Sequence, residues 1–127
     1  MTDRPALSRG EMAVARVLWE LKQATVRDVY ESLPAGREMD FATVQTYLRR
    51  LEAKGYLRTR LDGRTRVYSA KVRRRTVIRE TVDDIVDRLF GGDAMPLMQH
   101  LIEDHGISDD DIGQLRKLLD RLDNDGP

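Results

Sequence analysis

An amphipathic helix pattern that leads directly into a β-hairpin pattern, over residues 40–68, most constrains the fold of this chain. Asp40 is a typical N-cap residue and Gly55 suits a left-handed C-cap, so the pattern predicts a helix from Asp40 to about Lys54. Two alternating segments then flank Asp62-Gly63, a dipeptide typical of a tight turn. The sequence therefore predicts a helix and a hairpin in direct succession.

Two shorter helical patterns precede this pair. Ser8 and Glu11 have capping-box spacing, and the apolar residues behind them recur at helical intervals, which predicts a helix over about 8–22. Thr25 is a second N-cap candidate, and Pro34-Ala35-Gly36 ends the helix that it begins. Three short helices followed by a hairpin are the order of a winged helix-turn-helix, so the predicted fold class is mainly α with a small β-wing.

The third helix in this order has an apolar and a polar side. Its apolar side consists of Val44, Tyr47, Leu48 and Leu51. Its polar side combines small, hydrogen-bonding and cationic side chains without an acid: Ala42, Thr43, Thr46, Arg49 and Arg50, with Gln45 on the flank. Small residues let a helix approach base edges, and Arg, Gln and Thr bond bases or phosphates, so we predict that these residues bind DNA in the major groove. An ordinary solvated helix face is the alternative.

The hairpin carries four cations on or beside its turn, opposed only by Asp62: Arg58, Arg60, Arg64 and Arg66. Cations so placed can neutralise phosphates of an adjacent groove, and we assign Arg64 and Arg66 to the DNA-binding surface. The alternative is an edge strand whose charges prevent aggregation.

The net charge of zero conceals an asymmetry between the two parts of the chain. Residues 1–79 hold 18 Lys and Arg against 9 Asp and Glu, a net +9, whereas residues 80–127 hold 4 against 13, a net −9. A basic part suits a polyanion, and an acidic part suits solvent or a second subunit. We therefore expect double-stranded DNA as the partner of the first part.

The C-terminal part is predicted to be helical and to form a dimer. Its apolar residues recur at helical spacing in pieces that are interrupted at Gly91-Gly92 and near Gly106, and Ser108 caps the last piece. Pieces this short are marginal alone, so we predict a homodimer. The dimer would cover Ile85, Leu89, Leu101, Leu115, Leu118 and Leu122. The predicted domains are a DNA-binding winged helix-turn-helix, 1–72, and a helical dimerisation domain, 73–127.

Residues 42–57 resemble the recognition-helix signature of the penicillinase repressors, the BlaI/MecI/CopY group. That signature is roughly T-V-x-T-x-L-x-R-L-x-x-K-G. Leu7-Ser8, Glu11 and Leu18-Trp19 are similar to the first helix of the family, and Phe90-Gly91-Gly92 to its aromatic residue followed by a glycine pair. The resemblance implies a dimeric repressor on a dyad operator. It also implies that Thr43, Thr46 and Arg50 occupy positions that contact DNA.

The resemblance further implies how repression could be relieved. In the β-lactam-resistance members a regulatory protease acts within the C-terminal segment, often at an Asn-Phe bond, and this chain has Gln99-His100 near that place. Copper-responsive members carry C-terminal cysteine pairs, and this chain has no cysteine, which excludes that branch.

No residue pattern indicates an enzyme. His100 and His105 are five residues apart and cannot share a metal as an i,i+4 pair would, and no nucleophile elbow or Gly-rich phosphate loop occurs. We expect no catalytic residue, metal or cofactor, and we predict Trp19, Tyr30 and Tyr47 as core residues. No apolar run has the length of a signal peptide or a membrane span, so we expect a cytoplasmic chain without membrane insertion.

Two rival functions fit the same pattern. A winged-helix adaptor would present the polar helix to an acidic protein, whereas a ligand-switched repressor would bind a small molecule in its helical arm. The salt and sequence dependence of binding to duplex DNA distinguishes the adaptor from a repressor. A ligand-induced shift in melting temperature would support the ligand-switched repressor.

Overall fold

A computed structural model of the chain describes residues 4–34 and 39–125 and shows helices around one small sheet. The predicted fold class is therefore confirmed. Pro34 follows the second helix as predicted, whereas Ala35 and Gly36 lie outside the described residues. In chain order the elements are α1 (Arg9–Leu21), β1 (Gln23–Ala24), α2 (Val26–Glu31), α3 (Phe41–Ala53), β2 (Leu57–Asp62), β3 (Thr65–Ala70), α4 (Arg74–Leu89), α5 (Met95–His100), a π-helical segment (Leu101–His105) and α6 (Asp109–Asp125).

The first three helices begin at the caps that the sequence predicts. The Ser8 hydroxyl accepts from the backbone N–H of Glu11 at 3.2 Å, and the Glu11 carboxylate accepts from the N–H of Ser8 at 2.7 Å. Thr25 forms the same reciprocal cap with Asp28, and Asp40 accepts from the N–H of Thr43 at 2.7 Å. Each cap satisfies backbone donors that a helix start leaves without partners.

The core lies where α1, α2 and α3 meet the sheet. Val44, Leu48 and Leu51 are buried, which confirms the predicted apolar side of α3. Tyr47 is half-buried on the same side and lies against Gly10, where an added Cβ would come within 2.5 Å of the ring. A side chain at position 10 would therefore have to displace the Tyr47 ring from this place.

Of the three aromatic residues predicted in the core, Trp19 and Tyr47 are partly buried against it. The prediction for Tyr30 is wrong, because this side chain is 40% exposed. Helix α2 has only six residues, and Val29 occupies its buried side. The neighbouring Tyr30 lies about 100° further around the helix and therefore faces outward.

The sheet contains one strand that the sequence analysis does not predict. Strand β1 has two residues and pairs antiparallel with β3, which gives the order β1-β3-β2. The hairpin is confirmed, but its turn is displaced by one residue from the prediction. Asp62 pairs with Thr65, so the two turn residues are Gly63 and Arg64, and Gly63 has the positive φ of 66° that such a turn requires.

The chain divides into two compact units, Met1–Thr81 and Val82–Pro127. In the second unit, Gly91 and Gly92 have φ values of 61° and 89°, and the N–H of Gly92 donates to the carbonyl of Val86 at 2.9 Å. Two successive glycines at positive φ end α4, because side chains rarely adopt this backbone conformation within a helix. Ser108 caps α6 reciprocally with Asp111, as predicted for the start of the last helix.

Within the described ranges, no helix combines the length and the apolar composition needed to cross a membrane.

A buried ion pair joins the start of α1 to the end of α3. The Lys54 ammonium donates to Glu11 Oε1 at 2.7 Å and to the carbonyl of Ala6 at 2.9 Å. Glu11 is only 2% exposed, and its Oε2 has no hydrogen-bond partner among the described residues. Burial raises the pKa of Glu11, but the hydrogen bonds from Lys54 and Ser8 outweigh it and hold the pKa below its ordinary value. The carboxylate is therefore charged at neutral pH, and Lys54 neutralises it.

We expect Glu11→Gln to lower the free energy of unfolding at pH 7 by about 1–3 kcal/mol, because Gln keeps the shape but leaves Lys54 without its counter-charge. Since the folded-state pKa of Glu11 is lowered, the parent gains stability from it above the unfolded pKa and loses this stability as pH falls. Urea denaturation between about pH 7 and pH 3 should thus show a smaller acid loss for the variant. Parallel pH curves would contradict a role for the Glu11 charge.

Candidate nucleic-acid interface

The exposed side of α3 carries two parallel rows of side chains, each with a spacing of four residues. One row is Ala42, Thr46 and Arg50, and the other is Phe41, Gln45 and Arg49. Residues four apart lie one above the other along a helix, so each row forms a continuous strip. Thr46 is half-buried, and the other five residues are exposed. The two rows thus hold all of the residues predicted on α3 except Thr43, and they add Phe41, which is not among the predicted residues.

The two threonines predicted to bind DNA make different hydrogen bonds within α3. The Thr46 hydroxyl donates to the carbonyl of Ala42 at 3.0 Å, which leaves its oxygen lone pairs free to accept. Thr43 lies on the first turn, where its backbone N–H is occupied by the Asp40 carboxylate. The side-chain and backbone hydrogen bonds with Thr43 lower the pKa of Asp40, so this cap is charged at neutral pH.

A cleft of about 760 Å³ separates the second row from the hairpin. Gln45 and Arg49 line it from α3, and Arg64 and Arg66 line it from the wing. Two of the predicted helix residues and both predicted wing residues therefore lie around one concave surface. The cleft is also lined by residues outside the predicted set: Thr25, Val26, Arg27, Phe41, Glu52, Thr65 and Tyr68.

The pairing of the hairpin strands sorts the wing arginines by face. Arg66 is directly opposite Leu61, and both share a face with the buried Tyr68 and therefore with α3. Arg58 and Arg60 belong to the other face, because successive residues of a strand point to opposite sides. The four cations that the sequence places on or beside the turn therefore do not act as one cluster.

One acid lines the cleft, although the pattern of α3 places none on its polar side. Glu52 lies one turn beyond Leu48, and its carboxylate accepts from the Thr59 hydroxyl at 2.6 Å. Burial and then the charge of Glu52 raise the pKa of Tyr68 at the floor of the cleft. The expectation of a face without an acid therefore holds for the two rows but not for the cleft.

Arg50 lies outside the cleft lining. Its guanidinium carbon is 5.8 Å from the centre of the Tyr47 ring, a cation–π contact that places the charged end of the side chain beside α3. Arg49 and Arg50 therefore diverge by about 100° around the helix, with Thr46 between them. Each arginine can bond a guanine edge bidentately.

The model of the penicillinase repressor family matches residues 7–121. The chain belongs to the penicillinase repressor family. The match covers both units of the chain, and it confirms the predicted class, a DNA-binding transcriptional repressor with a winged helix.

Individual relatives agree with this membership. An uncharacterized 16.5 kDa protein in the ptsI 3′ region of Latilactobacillus sakei is 30% identical over 89% of this chain and 77% of its own. The penicillinase repressor of Bacillus licheniformis is 25% identical over 98% of this chain and 97% of its own. The monomeric form of Bacillus licheniformis BlaI was solved in complex with the blaP half-operator, and it is 30% identical with a TM-score of 0.50 over 58% of this chain and 90% of its own.

The geometry of the wing predicts different roles for two of its arginines in this family member. We expect Arg66→Ala to reduce the slope of log affinity against log salt by about one, because Arg66 lies on the cleft face and would neutralise one phosphate. The matched variant Arg58→Ala removes the same charge from the opposite face and should leave the slope unchanged. Fluorescence anisotropy with labelled duplex at several salt concentrations measures both slopes. Equal changes would show that the strand face does not decide the contact.

Proposed function

We propose that this chain is a homodimeric repressor that occupies a dyad operator and blocks a promoter sterically. Each subunit would place α3 in a major groove, with its two rows toward the base edges. The wing would lie on the sugar-phosphate backbone beside that groove. This is the arrangement in which helix-turn-helix dimers bind two half-sites about one helical turn apart.

The observation that carries this proposal is the cleft between α3 and the wing. Gln45 and Arg49 on one wall can hydrogen-bond base edges, and Arg64 and Arg66 on the other can neutralise phosphates. Base contacts specify a sequence while phosphate contacts position the protein, and both kinds of donor meet here. The half-operator complex of the related BlaI supports the same use of this domain.

The second unit supports the dimer. Among residues 82–125 of the described chain no side chain is buried. The six residues predicted to form the dimer are all exposed, from 37% for Leu115 to 74% for Leu89. In α6 the apolar residues form one strip, at Ile112, Leu115, Leu118 and Leu122. Burial of each such side chain contributes roughly 1.5–3 kcal/mol, so a second copy of this unit would stabilise it strongly.

We propose that the DNA-binding domain extends beyond residue 72, to Thr81. Val77 in α4 is 6% exposed and belongs to the core of the first unit. Glu80 accepts from Arg4 at 2.6 Å and 2.8 Å with its two oxygens. A boundary at 72 would remove both contacts from the domain that they stabilise.

We also propose a cellular location and a second protein partner for this chain. A repressor that binds chromosomal operators works in the cytoplasm, and we place the chain there. A regulatory protease is the proposed second protein partner, since Gln99 and His100 are exposed in α5 near the place where family members are cleaved.

Selection of binding sites from a random duplex library tests the proposal. We expect a recovered site with two symmetric halves. Arg50→Ala should weaken binding by about 1–3 kcal/mol for each half-site, the scale of one good base or phosphate contact. Arg16→Ala removes an equal charge from the exposed side of α1 and serves as the control. If no duplex is enriched, or if an acidic protein competes fully with DNA, the adaptor function replaces this proposal.

The dimer is tested in the full-length chain by Leu115→Asp. A charge in the apolar strip of α6 should convert the protein to a monomer and remove the advantage of a two-half-site duplex over a one-half-site duplex. Gln114→Asp adds the same charge beside the strip and should keep the dimer. Sedimentation velocity and gel-shift titration measure mass and affinity. A monomeric parent would contradict the mechanism.

A further inference from the structure

Phe41 is an aromatic side chain in an unusual place. It is the first residue of α3, it lines the cleft, and it is 39% exposed. Within the part of the chain that the structure describes, no other large apolar side chain that lines this cleft is exposed. A partner that covers the exposed part of this ring would gain free energy from removing apolar surface from water.

Two neighbours hold the Phe41 ring in one orientation. The Tyr30 ring packs edge-on against it, with ring centres 5.8 Å apart and planes at 70°. On α2, the Arg27 guanidinium carbon lies 5.6 Å from the centre of the same ring. Arg27 in turn pairs with Glu31 at 3.7 Å. Because these contacts fix the ring before any partner arrives, a contact made by Phe41 would cost little ordering entropy.

The position of Phe41 along the recognition helix identifies the chemistry that it could meet. Residues at the N-terminal end of such a helix contact base edges in the major groove. Among the groups displayed there, only the C5-methyl of thymine is apolar, and Phe is one of the side chains that contact it. Phe41 also begins the row that continues with Gln45 and Arg49, so its contact would be in register with theirs.

We propose that Phe41 determines part of the operator sequence by packing against a thymine methyl group. This inference rests on the proposed operator binding and adds one specified base to it. Gln45 and Arg49 supply polar contacts to the following bases, and Arg27 keeps the ring toward the groove. A merely structural role for Phe41, as a cover for the α2–α3 junction, would affect stability and not the identity of a base.

The test replaces thymines of the selected operator by deoxyuridine, symmetrically in both halves and one position at a time. Deoxyuridine pairs as thymine does and lacks only the methyl group. We expect one position at which the full-length parent loses affinity by about sixteenfold, because one buried methyl group is worth about fourfold and the symmetric replacement removes one in each half. At that position Phe41→Ala should bind the thymine and uracil operators equally, while Phe41→Leu keeps a reduced preference for thymine.

Tyr30→Leu is the matched control, because it removes the edge contact to the Phe41 ring but does not alter a side chain that lines the cleft. It should retain a preference for thymine, because Arg27 still contacts the Phe41 ring, whereas a purely structural Phe41 would make Tyr30→Leu and Phe41→Ala alike. Melting temperatures of all variants report folding separately. A parent that binds the operator without sensitivity to any uracil, or a Phe41→Ala variant with the full sensitivity, overturns this inference alone. A parent that binds no duplex overturns the proposed function as well.

Discussion

The ion pair between Glu11 and Lys54 is the constraint on which the DNA-binding unit depends. A carboxylate as enclosed as that of Glu11 is costly without a counter-charge, so Lys54 must lie beside it in the folded chain. Glu11 belongs to the first turn of α1 and Lys54 is the C-cap of α3. Because the same ammonium also bonds the carbonyl of Ala6, the chain before α1, the start of α1 and the end of α3 meet at one point.

The close contact between Gly10 and Tyr47 completes this junction. The ring of Tyr47 occupies the space that a side chain at position 10 would need, so the two helices pack without a gap near the ion pair. With one end and one side of α3 held in this way, its rows of exposed residues must face away from α1. The Trp19 indole donates to the carbonyl of Val72 at 3.1 Å and ties the chain that follows β3 to α1.

The two units differ in how much of their apolar surface is buried. The first unit buries a core of its own, which extends into α4 as far as Val77. The second unit exposes its apolar strips, and the proposed dimer gives those strips a partner. Under this proposal, affinity for DNA depends on a rigid first unit, while occupation of both half-sites depends on assembly through the second.

Local features of the sequence determine much of this protein. The caps at Ser8, Thr25 and Asp40 involve groups three residues apart, so their spacing alone predicts the helix starts. The periodicity of α3 likewise separates its buried side from its polar side, and the alternation around Gly63 predicts the hairpin. The exact turn is less certain from sequence, because Asp62-Gly63 and Gly63-Arg64 both suit a tight turn and only strand pairing chooses between them.

The tertiary structure decides the contacts between residues that are distant in the chain. Strand β1 has two residues, too few for a periodic pattern, and exists because β3 offers it an edge. Glu52 and Phe41 line the cleft because of the way in which α3 packs against the wing and α2. The helical periodicity of the sequence does not predict that packing. The burial of Glu11 is likewise not predictable from the sequence, since a charged residue in a capping box is ordinarily exposed. Sequence alone therefore determined the first three helices, the hairpin and the polar face of α3, whereas packing decided strand β1 and which side chains share the cleft.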